Sequence, residues 1–286
     1  MAERPARYFP IDLRRGDDGV LLHPMPGPFE PLRADAGRNG DVDGLHFQLD
    51  DQRDDYLRRK TGLLADASAG PRRLVLDGSE DALERARSFM VDTLRVEHPG
   101  LAIADADPTL DGIAERVQED IVVMARPPDE SAQRARAIYL HVCFPSGWRP
   151  AAVIGRSFVE MHAAVPAHDR FGERGRRALA ETLFGGPRVR YVWTVTPNDE
   201  LDRHPDSPTL GDWSTTDAAF LRVERQVIAP LRDESVFLIR VYSYRLDGLS
   251  SAQRAQLHAA VSEMPEAVAR YKGLYAARER IAELTR

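Results

Sequence analysis

The sequence contains eight histidines and a single cysteine, the side chains that most readily bind a transition metal. No two histidines have the spacing of a metalloprotease helix or of a zinc cluster. His162 has the most favourable setting, because the short helix predicted over residues 155–162 carries Phe158 and Met161 and is followed by Val165. A neutral imidazole on an apolar wall is what a haem iron requires on its proximal side. His162 is therefore the strongest candidate for a metal ligand, with Val165 in its apolar setting, although any one histidine is more often structural or solvated.

Two other residues compete with His162 for this role. His141 lies on the second face of a predicted strand, between Tyr139 and Cys143, and a satisfied core histidine is an equally good interpretation. Cys143 is either a thiolate ligand or a small buried hydrophobic residue. Because it is the only cysteine, it excludes an internal disulfide, a cysteine-rich zinc site and a haem attached through two cysteines.

Aromatic and cationic side chains follow in two further segments. Trp148 ends a strand-and-turn sequence that begins at Phe144, and it either fills the core or forms a pocket wall. On a strand predicted over residues 189–196, Trp193 alternates with Arg190. The aromatic face is suited to line a cavity and the arginine face to bind carboxylates such as haem propionates, although a solvated arginine is the commoner case.

Glu224 and Arg225 lie in the middle of a helix predicted over residues 215–228. Glu224 comes one turn after Phe220 and one turn before Ile228, close to the apolar side of that helix. A carboxylate in such a place is either paired with an arginine or held in a functional site. The residues alone leave both interpretations open.

The overall composition limits the classes of protein. The 39 basic and 45 acidic residues give a formal charge of −6, which argues against a nucleic-acid-binding protein. Hydrophobic residues make up 43% of the 286 residues, enough for a well-buried core. No run approaches about eighteen apolar residues, and the first residues lack the apolar core of a signal peptide. We therefore expect a cytoplasmic protein without a membrane span.

Elements predicted elsewhere would position these side chains. Helical spacing predicts helices over residues 50–64, 79–99 and 110–117, and a last one that begins with a capping box at Ser250 and Gln253. Alternation predicts strands over residues 74–76, 138–144, 189–196 and 235–246. We expect an α+β fold with a mainly antiparallel sheet, because no single crossover helix separates the last two strands. It would comprise an N-terminal arm and helical extension (1–105), a core (106–248) and a C-terminal helical tail (249–286).

An ordered series of motifs runs along most of the chain. The segments are Gln118–Met124, Val142–Trp148, Ile154–Pro166, Arg190–Trp193, Arg222–Gln226 and Tyr271–Leu274. Together they resemble the haem-binding α subunit of the haem-dependent oxidative N-demethylases. Each motif alone is weak, but six in order are specific, and the resemblance extends from about Phe47 to Leu274.

The resemblance implies a PAS-like fold, in which a curved antiparallel sheet with flanking helices holds b-type haem. It implies an enzyme that activates oxygen at the haem iron, oxidises a small secondary amine and releases formaldehyde. Electrons would come from NADPH through partner subunits that carry flavin and an iron–sulfur cluster. The sequence has no motif for flavin, iron–sulfur or NADPH binding, so we expect a separate reductase.

The resemblance also suggests roles for the candidate residues. His162 is the expected proximal ligand. Arg190 and Arg225 would bind haem propionates or polarise the bound oxygen, and Glu224 would pair with a cationic amine or relay protons. The walls of the pocket would be formed by Trp148 and Trp193, whose faces suit a cation.

The chain departs from the family pattern at Ala164 and Val192, where a proline and an asparagine are common, and it lacks a proline usually found near Arg232. These changes bear on the substrate more than on the haem. Two other functions stay open: a PAS-type haem sensor of gas or redox state, and a haem-free ligand-binding protein. The sequence shows no kinase, cyclase or DNA-binding output segment, which favours the enzyme.

Overall fold

The computed structural model describes residues 29–33, 40–101, 108–127, 132–163 and 182–285. In these residues helices surround an antiparallel sheet of seven strands, which confirms the expected α+β class. The strands are β1 (Glu30–Pro31), β2 (Arg73–Val75), β3 (Asp120–Ala125), β4 (Arg136–His141), β5 (Arg188–Thr196), β6 (Phe220–Pro230) and β7 (Glu234–Arg245). The α-helices are α1 (Arg53–Ala65), α2 (Glu80–Glu97), α3 (Leu110–Ala114), α4 (Phe158–Met161), α5 (Ser251–Ser262), α6 (Glu266–Tyr271) and α7 (Arg278–Leu284).

The strand order is β1-β5-β6-β7-β3-β4-β2. The last strand, β7, therefore lies in the middle of the sheet. On one side it forms a long hairpin with β6, and on the other it pairs with β3. At the hairpin turn the Leu231 amide donates to the Glu234 carbonyl at 2.7 Å. Consecutive strands joined by a tight turn pair antiparallel, which explains why no crossover helix is needed here.

Successive residues of a strand point to opposite faces of the sheet, so the strand register defines two surfaces. Arg190 lies opposite Gln226, and Val192 lies opposite Glu224, in the pairing of β5 with β6. We call the surface that carries Arg190, Arg222, Glu224 and Gln226 the site face, and the other surface the opposite face.

Helices from both ends of the chain cover the opposite face. Met90 of α2 packs in one apolar cluster with Val227 of β6. Leu257 of α5 and Ile281 of α7 pack in a second cluster with Val223. All five side chains are fully buried, and burial of each large one contributes about 1.5–3 kcal/mol. These layers fix β5 and β6 in place and leave their other surface for the polar side chains.

The helices predicted from periodicity are confirmed with small shifts at their ends. The capping box of α5 forms: Gln253 N donates to Ser250 Oγ at 3.2 Å, and Ser250 N donates to Gln253 Oε1 at 2.9 Å. Ser79 precedes α2 as expected, but its side chain makes no capping bond. The helix expected over residues 155–162 is shorter and comprises only Phe158–Met161.

The prediction of a helix over residues 215–228 is wrong. This stretch contains most of β6, which runs from Phe220 to Pro230 and is buried along nearly all of its length. A strand buried on both faces loses the polar–apolar alternation that identifies it in a sequence. The apolar residues that suggested one side of a helix therefore belong to both surfaces of a strand.

The strand predicted over residues 138–144 is β4, and its alternation is broken near its start. The register with β3 shifts after Val123, which pairs with Tyr139, so that the next pair skips Ile138. Ile138 consequently packs in the same core cluster as Tyr139 instead of facing the other way. A bulge of this kind adds one unpaired residue and re-aims its neighbours.

The expected N-terminal arm lies largely outside the described residues. Of this arm, Glu30 pairs with Val189 to form β1 at the edge of the sheet, and Gly40–Gly44 forms a short 3₁₀ helix. None of the helices in the described ranges is long and apolar enough to cross a membrane.

Candidate functional site

A chain of hydrogen-bonded side chains crosses the site face of β5 and β6. Arg190 Nε donates to Gln226 Oε1 at 2.7 Å, and Gln226 Nε2 donates to Glu224 Oε2 at 2.8 Å. Arg222 Nε donates to Ser146 Oγ at 3.0 Å, and Ser146 Oγ in turn donates to Glu224 Oε1. The two arginines can only donate, so they fix the direction of every bond between them. Glu224 therefore accepts one hydrogen bond on each oxygen.

Glu224 is set among apolar groups. It is 8% exposed, and its direct neighbours across the strands are Val192 and Val241. Trp148 packs against both apolar clusters that adjoin this face. A buried carboxylate is costly unless it is hydrogen-bonded or paired, and here Ser146 and Gln226 supply the bonds. The Glu224 side chain is thus nearly buried, beside the exposed Ser146.

Ser146 reaches Glu224 because an isolated parallel bridge to Arg203 holds its backbone. Arg203 N donates to the Pro145 carbonyl at 3.2 Å, and Gly147 N donates back to the Arg203 carbonyl at 3.0 Å. Gly147 has φ +79°, a conformation that favours glycine. The segment predicted as a turn after Phe144 contains bends and this bridge, and it presents the Ser146 hydroxyl to the carboxylate.

The guanidinium of Arg190 is held in place by two contacts, but not all of its donors are hydrogen-bonded. It lies 4.3 Å from the centroid of the Phe29 ring, and its Nε is bound to Gln226. In the described part of the chain, neither of its Nη atoms makes a hydrogen bond. Burial lowers the pKa of Arg190 to about 10, and the charge of Glu224 opposes this shift. Arg190 is therefore a cation with two donors available to an anion.

His162 lies directly after α4, beside the apolar cluster of the site face. Its Nδ1 is 2.8 Å from the Phe158 carbonyl oxygen, and its ring lies 4.3 Å from the Phe158 ring. A carbonyl oxygen can only accept, so Nδ1 is the donor in this contact. Phe158 and Met161 pack in the same apolar cluster as Trp148. A histidine that ligates a metal commonly donates its other ring N–H to a backbone carbonyl in this way.

His141 and Cys143, the competing ligands, are both completely buried. Burial lowers the pKa of His141 to about 3, and neither of its ring nitrogens has a hydrogen-bond partner among the described residues. Burial, helped by the charge of Asp120, raises the pKa of Cys143 to about 12. Cys143 is therefore a thiol, and a thiolate ligand is disfavoured. These environments favour core roles for both residues.

Arg225 is not brought together with Glu224. Its side chain is on the opposite face, where it is 1% exposed and holds the chain segment before α1. Its guanidinium donates to the backbone carbonyls of Asp43, Leu45 and His46, at 3.0, 2.5 and 3.2 Å. These contacts support a structural role.

Trp193 is also on the opposite face, in the cluster formed with the C-terminal helices. Lys272 lies over it, with Nζ 4.9 Å from the ring centroid and 2.5 Å from the Trp193 carbonyl oxygen, to which it donates. Burial lowers the pKa of Lys272 to about 8, and the charge of Glu224 opposes the shift. Trp193 thus anchors the end of α6 to β5 and does not line the site face.

The segment Gln118–Asp120 is a buried polar junction. Gln118 Nε2 donates to Asp50 Oδ1 at 2.8 Å, and Asp50 N donates back to Gln118 Oε1 at 2.8 Å. Asp120 accepts from the amides of Cys143 and Phe144 at 3.0 and 2.7 Å. Asp120 therefore fixes the segment that leads from β4 to Ser146.

A comparison with known protein families identifies the chain. A family model described as haem-dependent oxidative N-demethylase, alpha subunit-like, matches residues 49–282. The chain belongs to this family. The match includes every motif of the resemblance and every residue of the polar chain on the site face. Because the family is described as haem-dependent, we ask whether the side chains near this face fit a haem.

The side chains of this N-demethylase-like protein fit a haem. A haem iron needs only one ligand from the protein, and the His162 ring is oriented by the Phe158 carbonyl beside an apolar cluster. In the described ranges no group of three or more His, Cys, Asp or Glu side chains could hold a metal by itself. Val165, the other residue expected at the cofactor, lies outside the described residues.

Sequence reasoning did not single out three members of the polar chain, Ser146, Arg222 and Gln226. All three lie in motifs that carried the family resemblance. The assignment of β6 to a helix hid their relation, because on a helix Arg222, Glu224 and Gln226 do not share a face, whereas on a strand they do. A strand assignment for Arg222–Gln226 would have found two of them.

Proposed function

We propose that this chain is the haem-binding, oxygen-activating subunit of an oxidative N-demethylase that acts on a small N-methylated amine. The observation that carries the proposal is the buried carboxylate of Glu224, held as an acceptor by Ser146 and Gln226. A carboxylate offers about four acceptor positions, and the described residues use two of those on Glu224. The remaining positions suit the N–H groups of a protonated amine.

We place b-type haem against the apolar cluster that contains Phe158, Met161 and Trp148, with His162 as its proximal ligand. Val165 would adjoin it. The Phe158 carbonyl would orient the imidazole and raise its basicity as a ligand. When bound, the haem supplies the activation of molecular oxygen.

We also propose that the sheet is PAS-like. The five longer strands run in the order β4-β3-β7-β6-β5 across the sheet, so the first of them along the chain, β3, pairs with the last, β7. This order, with helices packed against the sheet, supports the assignment.

The proposed reaction balances with one O2, two electrons and two protons. One oxygen atom enters the N-methyl C–H bond, and the other leaves as water. The resulting carbinolamine breaks its C–N bond and releases formaldehyde, while its hydroxyl proton passes to nitrogen. Glu224 would hold the amine and carry this proton on a carboxylate oxygen. NADPH would supply the electrons through a separate flavin and iron–sulfur reductase.

Trp148 would form the apolar wall near the amine. It packs against both apolar clusters that adjoin the site face and is partly buried. A tryptophan face attracts a cation by about 0.5–2 kcal/mol. Arg222 would act through Ser146, because its three nitrogens are occupied by Ser146 Oγ and by the carbonyls of Leu201 and Phe144.

Two measurements on the purified protein test the proposal. The absorbance spectrum, oxidised and then reduced under carbon monoxide, should show a haem Soret band. With NADPH, a flavin and iron–sulfur reductase and dimethylamine, the loaded protein should consume NADPH and release formaldehyde in equal amounts. A Soret band with reversible gas binding and no formaldehyde from any small N-methylated amine would indicate a sensor and contradict the proposal.

A further inference from the structure

Arg190 and Glu224 present opposite charges to one part of the site face. Building on the proposed function, we infer that the amine substrate also carries a carboxylate, which binds the two Nη donors of Arg190 while its amine binds Glu224. The substrate class is then an N-methylated amino acid.

The guanidinium of Arg190 is oriented to bind a carboxylate. Gln226 holds its Nε at 2.7 Å, and the Phe29 ring supports its plane at 4.3 Å. Both Nη atoms lack a hydrogen bond within the described residues. Two parallel N–H donors on a rigid plane match the two oxygens of a carboxylate. No acidic side chain in the described ranges lies within ion-pair distance of this cation.

Arg222, by contrast, cannot take an anion. Its Nε binds Ser146, and its two Nη atoms donate to backbone carbonyls at 2.9 and 2.8 Å. Of the two arginines in the hydrogen-bonded chain, only Arg190 therefore keeps Nη donors without a partner among the described residues.

The spacing of the two charges fits an amino acid. The side-chain amide of Gln226 bridges them, with its oxygen on Arg190 and its nitrogen on Glu224. A single amide group thus separates the cation from the carboxylate. The amine and the carboxylate of an α-amino acid are held apart by one carbon atom, so a zwitterion lying over Gln226 reaches both.

A haem propionate is the other carboxylate available to Arg190. It brings no positive charge with it, so it would place a second carboxylate near Glu224, and like charges at such range repel. A zwitterion brings its own cation to Glu224. The charges of Arg190 and Glu224 therefore favour the substrate over the propionate.

Equilibrium binding tests the inference without turnover. The ligands are N-methylglycine and N-methylethylamine, which differ in having a carboxylate or a methyl group, and binding to the purified protein is measured by calorimetry without reductase. We expect N-methylglycine to bind about 10- to 100-fold more tightly, as one bidentate charged contact implies. Arg190→Gln should abolish this preference, and Arg190→Lys should retain only part of it.

Arg188→Gln is the matched control, because it removes an equal charge two residues away on the same strand face. It should keep the preference for N-methylglycine, and thermal melts should show that all three variants are folded. Equal binding of the two ligands by the unaltered protein would overturn the inference. A preference that persists in Arg190→Gln, with a loss of bound haem, would assign Arg190 to a propionate. Tight N-methylglycine binding without formaldehyde release would instead contradict the proposed reaction alone.

Discussion

Glu224 and Arg225 are consecutive residues of β6, and their side chains point to opposite faces of the sheet. Glu224 accepts hydrogen bonds from Ser146 and Gln226 on the site face. Arg225 donates to the backbone before α1 on the other face. Two residues that look equivalent in the sequence therefore have separable roles, in the proposed chemistry and in the fold.

Glu224→Gln should reduce turnover and leave the fold intact. The amide keeps the size of the carboxylate but removes the negative charge that would bind the amine. We expect kcat/KM for the amine to fall by about 10²-fold or more, which is the loss of rate typical when a general acid–base group is removed. Steady-state formaldehyde release, with haem content measured in the same samples, checks this. Turnover within a factor of about two of the unaltered enzyme would exclude Glu224 from the site.

Arg225→Met should lower stability and leave the turnover of the folded protein unchanged. It leaves the carbonyls of Asp43, Leu45 and His46 without a buried donor, and each unsatisfied buried group costs about 1–3 kcal/mol. We expect the free energy of unfolding to fall by about 3 kcal/mol, measured by urea denaturation. At a temperature where the variant is folded, its turnover per bound haem should match that of the unaltered protein. A selective loss of activity at full stability would assign Arg225 to the site.

His162→Ala should remove the haem ligand. The purified variant should lack the Soret band, or show one shifted and broadened by loss of the axial imidazole. His141→Leu is the matched control, since it removes a histidine that is buried and makes no hydrogen bond in the described ranges. It should load haem with an unchanged spectrum. Normal loading of His162→Ala, with loss of haem from His141→Leu, would reverse the assignment of the ligand.

Sequence patterns correctly predicted those helices and strands that have one polar and one apolar face, or a local capping motif. The alternation of β5 reflects a real difference between the layer that contains Trp193 and the polar surface that contains Arg190. The capping box of α5 is purely local and needs only Ser250 and Gln253. The prediction for β6 was wrong because both faces of this strand are buried. Its hydrophobic residues therefore do not show the two-residue period that identifies a strand.

The candidate site was harder to predict, because its contacts are between residues distant in the chain. Ser146 and Glu224 are separated by 78 positions, and no spacing rule links them. His162 was different: an apolar helix end is a local feature, and Phe158 is within one turn. The family motifs contained all these residues, but only the strand register shows which of them share a face.

His141 should make the fold sensitive to acid. Burial lowers its pKa from 6.5 to about 3, so between these values the unfolded chain binds a proton that the folded chain does not. Stability is therefore full above pH 6.5 and is lost as the pH falls toward 3. Between pH 8 and pH 5 the loss of unfolding free energy due to this group is about 2 kcal/mol.

His141→Leu lacks the titrating group, so the difference in unfolding free energy between the variant and the unaltered protein should shift by that amount in favour of the variant. Urea midpoints at the two pH values measure the shift, and pH 8 serves as the reference because the imidazole is neutral there in both states. A difference that stays constant with pH would show that His141 can be protonated in the folded protein.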